Sequence, residues 1–233
     1  MQLIHLPEVD STSAYLAGPA GAGLVPWTVV LADRQTGGRG QHGRAWVSPA
    51  GGLYASILLG PEVVSPVFTL LAGVAVAEGC EAAGATGVGL KWVNDLVYAG
   101  RKLGGILAEV VHRRRAILGI GLNLAPVAVP EAAWLEEATG GPVDRLALLE
   151  GIVARLAAGL QRRERGGQQA VLEAWAARSV TLGRDVRVES GGEILIGRAT
   201  GLDEDGRLVL ELPGGLLRPV ASGTVRLADG RYA

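Results

Sequence analysis

Apolar residues along this chain recur at two spacings, one fitting strands and one fitting helices. Residues 2–6 read as a short strand, and Asp10-Ser11-Thr12-Ser13 as an N-cap opening a short helix through Leu16 that Gly18-Pro19 ends. Residues 27–32 (WTVVLA) are apolar and β-branched, predicting a strand that runs into a glycine-rich loop. Residues 53–59 (LYASILL) predict the next strand, after the break at Ser48-Pro49-Ala50-Gly51-Gly52. Val67, Leu70, Leu71, Val74 and Ala75 recur at helical spacing, so 65–83 reads as a mostly buried helix. Three strands follow over 90–98, 103–111 and 116–124. Turns at Ala99-Gly100 and at the Arg113–Arg115 run would join them as an antiparallel meander. From Asp144, the residues Leu146, Leu149, Ile152, Val153, Leu156 and Leu160 form one face of a long helix that stops before Gly166-Gly167. Residues 170–178 make another helix.

The spacing changes near Thr181. Short alternating segments over 185–189, 193–200, 207–212, 216–221 and 224–227 sit between Gly- and Asp-rich turns, the pattern of a small all-β barrel or sandwich. A boundary near 180 divides the chain into residues 1–180 and 181–233. No internal repeat is visible.

Composition narrows the class. The chain has 233 residues, 48% of them hydrophobic and 19% charged, a globular balance that excludes disorder. A net charge of −1 gives no general pull toward nucleic acid or an anionic membrane. One cysteine, Cys80, permits no disulfide within the chain and fits a reducing compartment. The three histidines (His5, His42, His112) lie far apart, against a His/Cys metal site. The N-terminus lacks the basic and apolar regions of a signal peptide, and the apolar run over 67–77 falls short of the roughly 20 residues of a membrane span. The expectation is a soluble, cytoplasmic protein.

Candidate chemistry begins at Gly38-Arg39-Gly40-Gln41-His42-Gly43, a G-x-G-x-x-G pattern. A dinucleotide fingerprint needs strand, glycine turn and then helix, because the helix N-terminus holds the pyrophosphate. Here Trp46-Val47-Ser48-Pro49 leads to another strand, so that reading fails. What remains is a glycine loop bearing Arg39 and Arg44 with Gln35 at its entrance: backbone N–H groups and guanidinium donors for a phosphate or carboxylate, or else a solvated loop with incidental arginines. In Lys91-Trp92-Val93-Asn94-Asp95, read as one strand, Lys91, Val93 and Asp95 share one face and Trp92, Asn94 and Leu96 the other. Lys102 followed by Gly104-Gly105 puts an ammonium where a ligand can approach backbone; a surface Lys91–Asp95 pair and a hairpin-capping lysine are the plainer alternative. Gly119 and Gly121 alternate on one strand face and leave a smooth floor, with Asn123 polar in an apolar run. Arg113–Arg115 reads as a solvated hairpin tip, His42 as a loop residue and Cys80 as a buried small side chain.

Taken in order, DSTS (10–13), RQTGGRGQHGRAW (34–46), KWVNDLVYAGRKLGGILAE (91–109) and GIGLNL (119–124), with a C-terminal β module, resemble the biotin protein ligase family over essentially the whole chain. The resemblance implies an α/β (α+β) fold: a class II synthetase-like catalytic domain with a mixed, largely antiparallel sheet packed by helices, then a small β-barrel. It implies ATP-dependent activation of biotin as biotinyl-AMP with Mg²⁺, then transfer to a lysine of a biotin carboxyl carrier domain of a carboxylase. It implies catalytic roles for Lys102, Arg39, Asp95 and Lys91. Ser11, Thr12, Ser13, Gln35, Arg39, Gly40, Gln41, Lys102 and Gly105 would bind biotin. Gly38, Arg39, Arg44, Trp46, Asn94, Lys102, Asn123 and Trp134 would bind ATP, Trp134 by packing on adenine, with Mg²⁺ carried by the phosphates. Gln41 stands where family members often carry arginine, which bears on how tightly the adenylate is retained; Val93 replaces a common proline, with little consequence expected. Only ten residues precede Ser11, no room for a helix-turn-helix, so no nucleic-acid partner is expected and no membrane; a homodimer stays open. The alternatives are a lipoate ligase or acyltransferase of the same fold and a non-catalytic biotin-binding module.

Overall fold

The computed structural model describes residues 1–63, 65–111 and 115–233. Its larger unit is a seven-stranded sheet with strands β1 (Gln2–Val9), β2 (Thr28–Gln35), β3 (Leu53–Leu59), β4 (Gly89–Lys91), β5 (Asp95–Tyr98), β6 (Arg101–Val110) and β7 (Ala116–Leu122), in the order β1-β2-β3-β7-β6-β5-β4. Only β1 and β2 run parallel, joined through helix α1 (Thr12–Ala17); the other pairs are antiparallel. The glycine loop therefore follows a short β-α-β unit rather than sitting inside one, and it leads to antiparallel β3.

Helix α2 (Phe68–Ala82) and the long helix α4 (Arg145–Ala176) cover one face of this sheet. Their axes approach closely because Gly79 leaves room for Ile152: a Cβ on Gly79 would come within 2.5 Å of it. The strands sort their side chains accordingly. Val29 and Leu31 of β2 join the helix-side core, while Val30 packs on the other face with Leu16, Leu58 and Ile117. Cys80, fully buried on α2, has its thiol pushed up to about 12 by burial, which makes it inert packing. Helix α4 starts at Asp144, whose carboxylate accepts from Leu146 N and Ala147 N, and breaks its helical geometry at Gly167 (φ 70°), as the Gly166-Gly167 pair predicts.

Two local readings change. Residues 90–98 are not one strand: β4 and β5 form a hairpin with Lys91 opposite Asp95, and Trp92-Val93-Asn94 turns between them with a cis peptide at Trp92–Val93. Lys91 and Asp95 share a face as cross-strand partners instead of as alternating residues. A short helix, α3 (Leu135–Thr139), also forms where no periodicity announces it. The Ala99-Gly100 turn matches its reading, both residues having positive φ (48° and 72°). The Arg113–Arg115 tip lies partly outside the described residues, as does His112. Arg115 itself is no solvated tip residue, since its guanidinium donates to the carbonyls of Gly21 and Leu24.

After Thr181 the chain forms a separate antiparallel sheet of β8 (Asp185–Ser190), β9 (Glu193–Leu202), β10 (Leu208–Glu211), β11 (Leu217–Val220) and β12 (Thr224–Leu227), in the order β11-β10-β9-β8-β12. It is fastened to the first sheet through the β4–β5 turn. Trp92 N donates to Thr181 Oγ1 at 3.0 Å, and the Trp92 indole donates to the Gly206 carbonyl at 3.1 Å. Among the described residues, no helix is long and apolar enough to cross a membrane.

Candidate functional site

A cavity of about 300 Å³ opens between the α1 face of the first sheet and the edge of the second. Its inner end is polar. Ser11 caps α1, its Oγ accepting from Ala14 N at 3.4 Å. Thr12, one residue on, is not a cap: its Oγ1 lies 2.7 Å from Ser56 Oγ and donates to Gln35 Oε1 at 3.2 Å, while Ser13 Oγ is 2.9 Å from Ser56 Oγ. Gln35 then ties this cluster to the loop, donating through Nε2 to Ser48 Oγ at 2.9 Å. Buried hydroxyls arranged in this way are costly unless partnered, and each can redirect a donor toward a small polar ligand. Ser56 is fully buried in the middle of an apolar run, and only its polarity there signals it in the sequence.

Beside this cluster, β7 supplies the floor read from Gly119 and Gly121. A Cβ on Gly119 would lie 2.9 Å from Ser13 Oγ, and one on Gly121 would lie 2.6 Å from the Trp46 indole nitrogen. Trp46 thus rests on the bare backbone of Gly121, with its Nε1–H buried and without an acceptor among the described residues. The loop between β2 and β3 closes one wall. Arg39 pairs with Ala45 by an isolated bridge, a 3₁₀ turn spans Gln41–Gly43, and Arg44 donates to Thr224 Oγ1 of β12 at 2.6 Å. Gly38 does not line the cavity. It is buried at the loop stem, where a Cβ would collide with the Trp46 carbonyl at 2.6 Å.

The charged end is built by the β4–β5 and β5–β6 hairpins. Lys102 Nζ stands 2.6 Å from Asp95 Oδ1, and Asp95 Oδ2 accepts a hydrogen bond from the Tyr232 hydroxyl. Of the Gly104-Gly105 pair, only Gly105 faces this point: a Cβ there would sit 3.6–3.7 Å from Asp95 Oδ1 and Lys102 Nζ. Gly104 instead lets β6 approach the Gly121 carbonyl of β7. Asn94 holds its turn against β6, donating to the Ile106 carbonyl at 2.9 Å. Asn123 donates to the Ala133 carbonyl at 3.0 Å and so fixes the 131–135 segment as well as lining the cavity. Trp134 lies outside the cavity lining, its ring 5.5 Å from the Arg101 guanidinium.

Lys91 completes the cluster. It is only 5% exposed, with Nζ 3.3 Å from the centre of the Tyr232 ring. Burial pushes its ammonium down from 10.5 to about 8; Asp95 and Glu131 favour the charge, while Lys102 and Arg226 oppose it. The unfolded chain keeps that proton to higher pH than the folded one, so this group's contribution to stability rises as pH climbs from about 8 to 10.5. The unfolding free energy of the wild type, relative to Lys91→Met, should therefore grow by up to about 3 kcal/mol across that window. Denaturant titrations at stepped pH check this; a difference that stays level between pH 7.5 and 10 would rule it out.

Most of the residues singled out by motif meet on this one cavity, Gly38, Gly104 and Trp134 being exceptions. Sequence reading missed Ser56 and the contribution of the second sheet: Thr224, Arg226, whose guanidinium engages both carboxylate oxygens of Glu131 at 3.2–3.3 Å, and Tyr232. These last lie far from the motifs in sequence, and no local pattern marks them.

Residues 9–123 match the family model described as the biotin/lipoate A/B protein ligase family, and residues 181–227 match that of the biotin protein ligase C terminal domain. The chain is 37% identical to a biotin–[acetyl-CoA-carboxylase] ligase of Mycobacterium tuberculosis, over 96% of this chain and 88% of that one. It is 33% identical to the bifunctional ligase/repressor BirA of Escherichia coli, over 95% of this chain and 73% of the relative. The solved biotin protein ligase from Aquifex aeolicus in complex with biotin and ATP superposes with a TM-score of 0.88 at 31% identity, covering 97% of this chain and 99% of that one.

Proposed function

Because the chain belongs to the biotin protein ligase family, we propose that the cavity between its two sheets holds biotin and ATP side by side. The protein is an ATP-dependent ligase that activates biotin as biotinyl-5′-AMP and transfers the biotinyl group. The observation that carries the site assignment is the convergence of the Ser/Thr/Gln cluster, the glycine–arginine loop and the Lys102–Asp95 pair on one cavity.

In this reading the inner hydroxyls of Ser11, Thr12 and Ser13, with Gln35, receive biotin's ureido ring. Gly119 and Gly121, lacking side chains, let Ser13 and the Trp46 indole close against β7 as walls beside the rings. The acyl chain then directs the carboxylate toward Lys102. A carboxylate oxygen attacks the α-phosphorus of ATP, the bond from that phosphorus to the bridging oxygen breaks, and pyrophosphate leaves with its electron pair. Lys102 stabilises the charge that gathers between carboxylate and α-phosphate, the kind of preorganised electrostatics that dominates such transfers. Arg39, Gly40, Gln41, Arg44 and Trp46 close over the adenylate, with Asn94 and Asn123 holding the walls. Mg²⁺ would enter on the nucleotide's phosphates. The carboxylates lining the cavity, Asp95 and Glu131, are already paired with Lys102 and Arg226.

In the second step the neutral amine of a lysine on a biotin carboxyl carrier domain attacks the carbonyl carbon of the mixed anhydride. The carbon–oxygen bond to AMP breaks, AMP departs with its electron pair, and the nitrogen gives up one proton to solvent to leave the amide. Asp95 is suited to orient that amine, and Lys91 to balance the charge. Residues 1–180 act as the catalytic unit and 181–233 as the module completing its nucleotide side, in a protein working in the cytoplasm. Incubation with biotin, Mg²⁺ and α-labelled ATP should yield labelled biotinyl-AMP without any carrier and biotinylated carrier when one is added; absence of the adenylate would sink the reading.

Loop closure gives a second test. Backbone amides of residues 36–45, four of them glycines, should gain hydrogen-exchange protection on adding biotin and ATP, as a glycine-rich segment orders around its ligand. Equal exchange in free and liganded protein would leave Arg39 and Gln41 as surface residues without a role in retention.

A further inference from the structure

We propose that Tyr232, near the C-terminal end of the chain, is a positioning residue for adenylation: it holds the Asp95 carboxylate in the orientation that fixes Lys102. The inference rests on the assignment of Lys102 made above.

Asp95 has two carboxylate oxygens, and they are used differently. Oδ1 faces Lys102 Nζ at 2.6 Å, and Oδ2 takes the Tyr232 hydroxyl proton in a hydrogen bond. With nothing on Oδ2, rotation about the Cβ–Cγ bond would swing Oδ1 away from the ammonium. A second anchor on the far oxygen stops that rotation, and a hydrogen bond to an ionised acceptor is among the stronger ones. The anchor is itself held. Lys91 sits on the Tyr232 ring at 3.3 Å, Arg226 lies 5.9 Å from it, and the turn at Asp229–Arg231 returns the chain after β12, with Leu227 N donating to the Arg231 carbonyl. Burial, then the charge of Asp95, pushes the phenol well above its usual range, so it stays a donor at any physiological pH. The route from sheet to site is therefore complete: β12 places the turn, the turn places Tyr232, and Tyr232 places Asp95 against Lys102.

Tyr232→Phe removes the hydroxyl and keeps the ring on Lys91. With rates expressed per active site, counted by the adenylate burst, its kcat for biotinyl-AMP formation should fall by about tenfold, the scale of losing one hydrogen bond to a charged group. KM for biotin and for ATP should stay within about twofold, because neither ligand touches the hydroxyl in this scheme. In an Asp95→Ala background, measured by single turnover with labelled ATP, the same change should have no further effect, since no carboxylate remains to be held. A purely structural tyrosine would slow both backgrounds alike. Wild-type kcat for Tyr232→Phe, or an equal loss in both backgrounds, overturns the proposal. If Lys102→Ala were itself unimpaired, the site assignment would fall; if Lys102→Ala is impaired and Tyr232→Phe is not, only the role of Tyr232 falls.

Discussion

Lys102→Ala is expected to cut biotinyl-AMP formation by on the order of hundredfold or more, the loss seen when one preorganised charge donor is removed from a developing transition-state charge. The ammonium is held at 2.6 Å by Asp95, beside a glycine that leaves the approach open, so in the proposed role it would need no reorganisation during attack. Folding should survive. Lys102 is about one-third exposed at its side chain, and its strand is fixed by backbone bonds from Lys102 N to the Glu131 carbonyl and from Ala133 N to the Lys102 carbonyl. Lys102→Arg should rescue poorly, because a planar fork cannot occupy the space of a compact ammonium between Asp95 and Gly105. Biotin affinity, read by calorimetry, should weaken much less than the chemical rate, since the contacts proposed for the ureido end lie in the Ser11–Thr12–Gln35 cluster and not at Lys102. Wild-type adenylation by Lys102→Ala would remove this lysine from the mechanism.

How much of this was legible in the sequence depends on the range over which each feature is encoded. Strands β3, β8 and β12 and the Gly167 break follow from local alternation and glycine chemistry, and they form where the pattern puts them. The 90–98 segment did not, because alternation within Lys91–Asp95 fits a strand while the real geometry is a hairpin whose turn is held from outside by Thr181, Gly206 and Ile106. Alternation records side-chain facing; it does not record a turn two of whose partners, Thr181 and Gly206, lie 89 and 114 residues away. The same limit explains the site. Motif residues such as Lys102, Asp95, Ser11 and Arg39 are legible because their types and neighbours are unusual for strands or caps. Tyr232, Arg226 and Glu131 look like ordinary surface residues until the second sheet is laid against the first. Gly104 and Gly105 look equivalent in sequence, yet one serves strand packing and the other the cavity.

Gly121→Val should also abolish most activity, through the opposite kind of fault. Valine suits a strand, and position 121 pairs normally with Tyr54 and Gly105, so β7 should keep its ladder. The added atoms, however, enter space already filled: a Cβ alone would lie 2.6–3.1 Å from three atoms of the Trp46 indole. That ring is rigid and cannot yield by bending, so it must lift off the floor and take the end of the glycine–arginine loop with it. By contrast, Gly119→Ala meets chiefly the Ser13 hydroxyl, which can turn aside, and should cost far less. Displacing a wall of the cavity by an ångström is enough to lower a positioned bimolecular reaction by on the order of hundredfold. Gly121→Val should therefore form adenylate about a hundredfold more slowly, with raised KM for biotin and a thermal midpoint within a few degrees of wild type, while Gly119→Ala stays within about tenfold. If Gly121→Val instead turned over normally, the contact between Trp46 and the strand floor would have no part in the productive geometry, and the closed wall would belong to the loop alone.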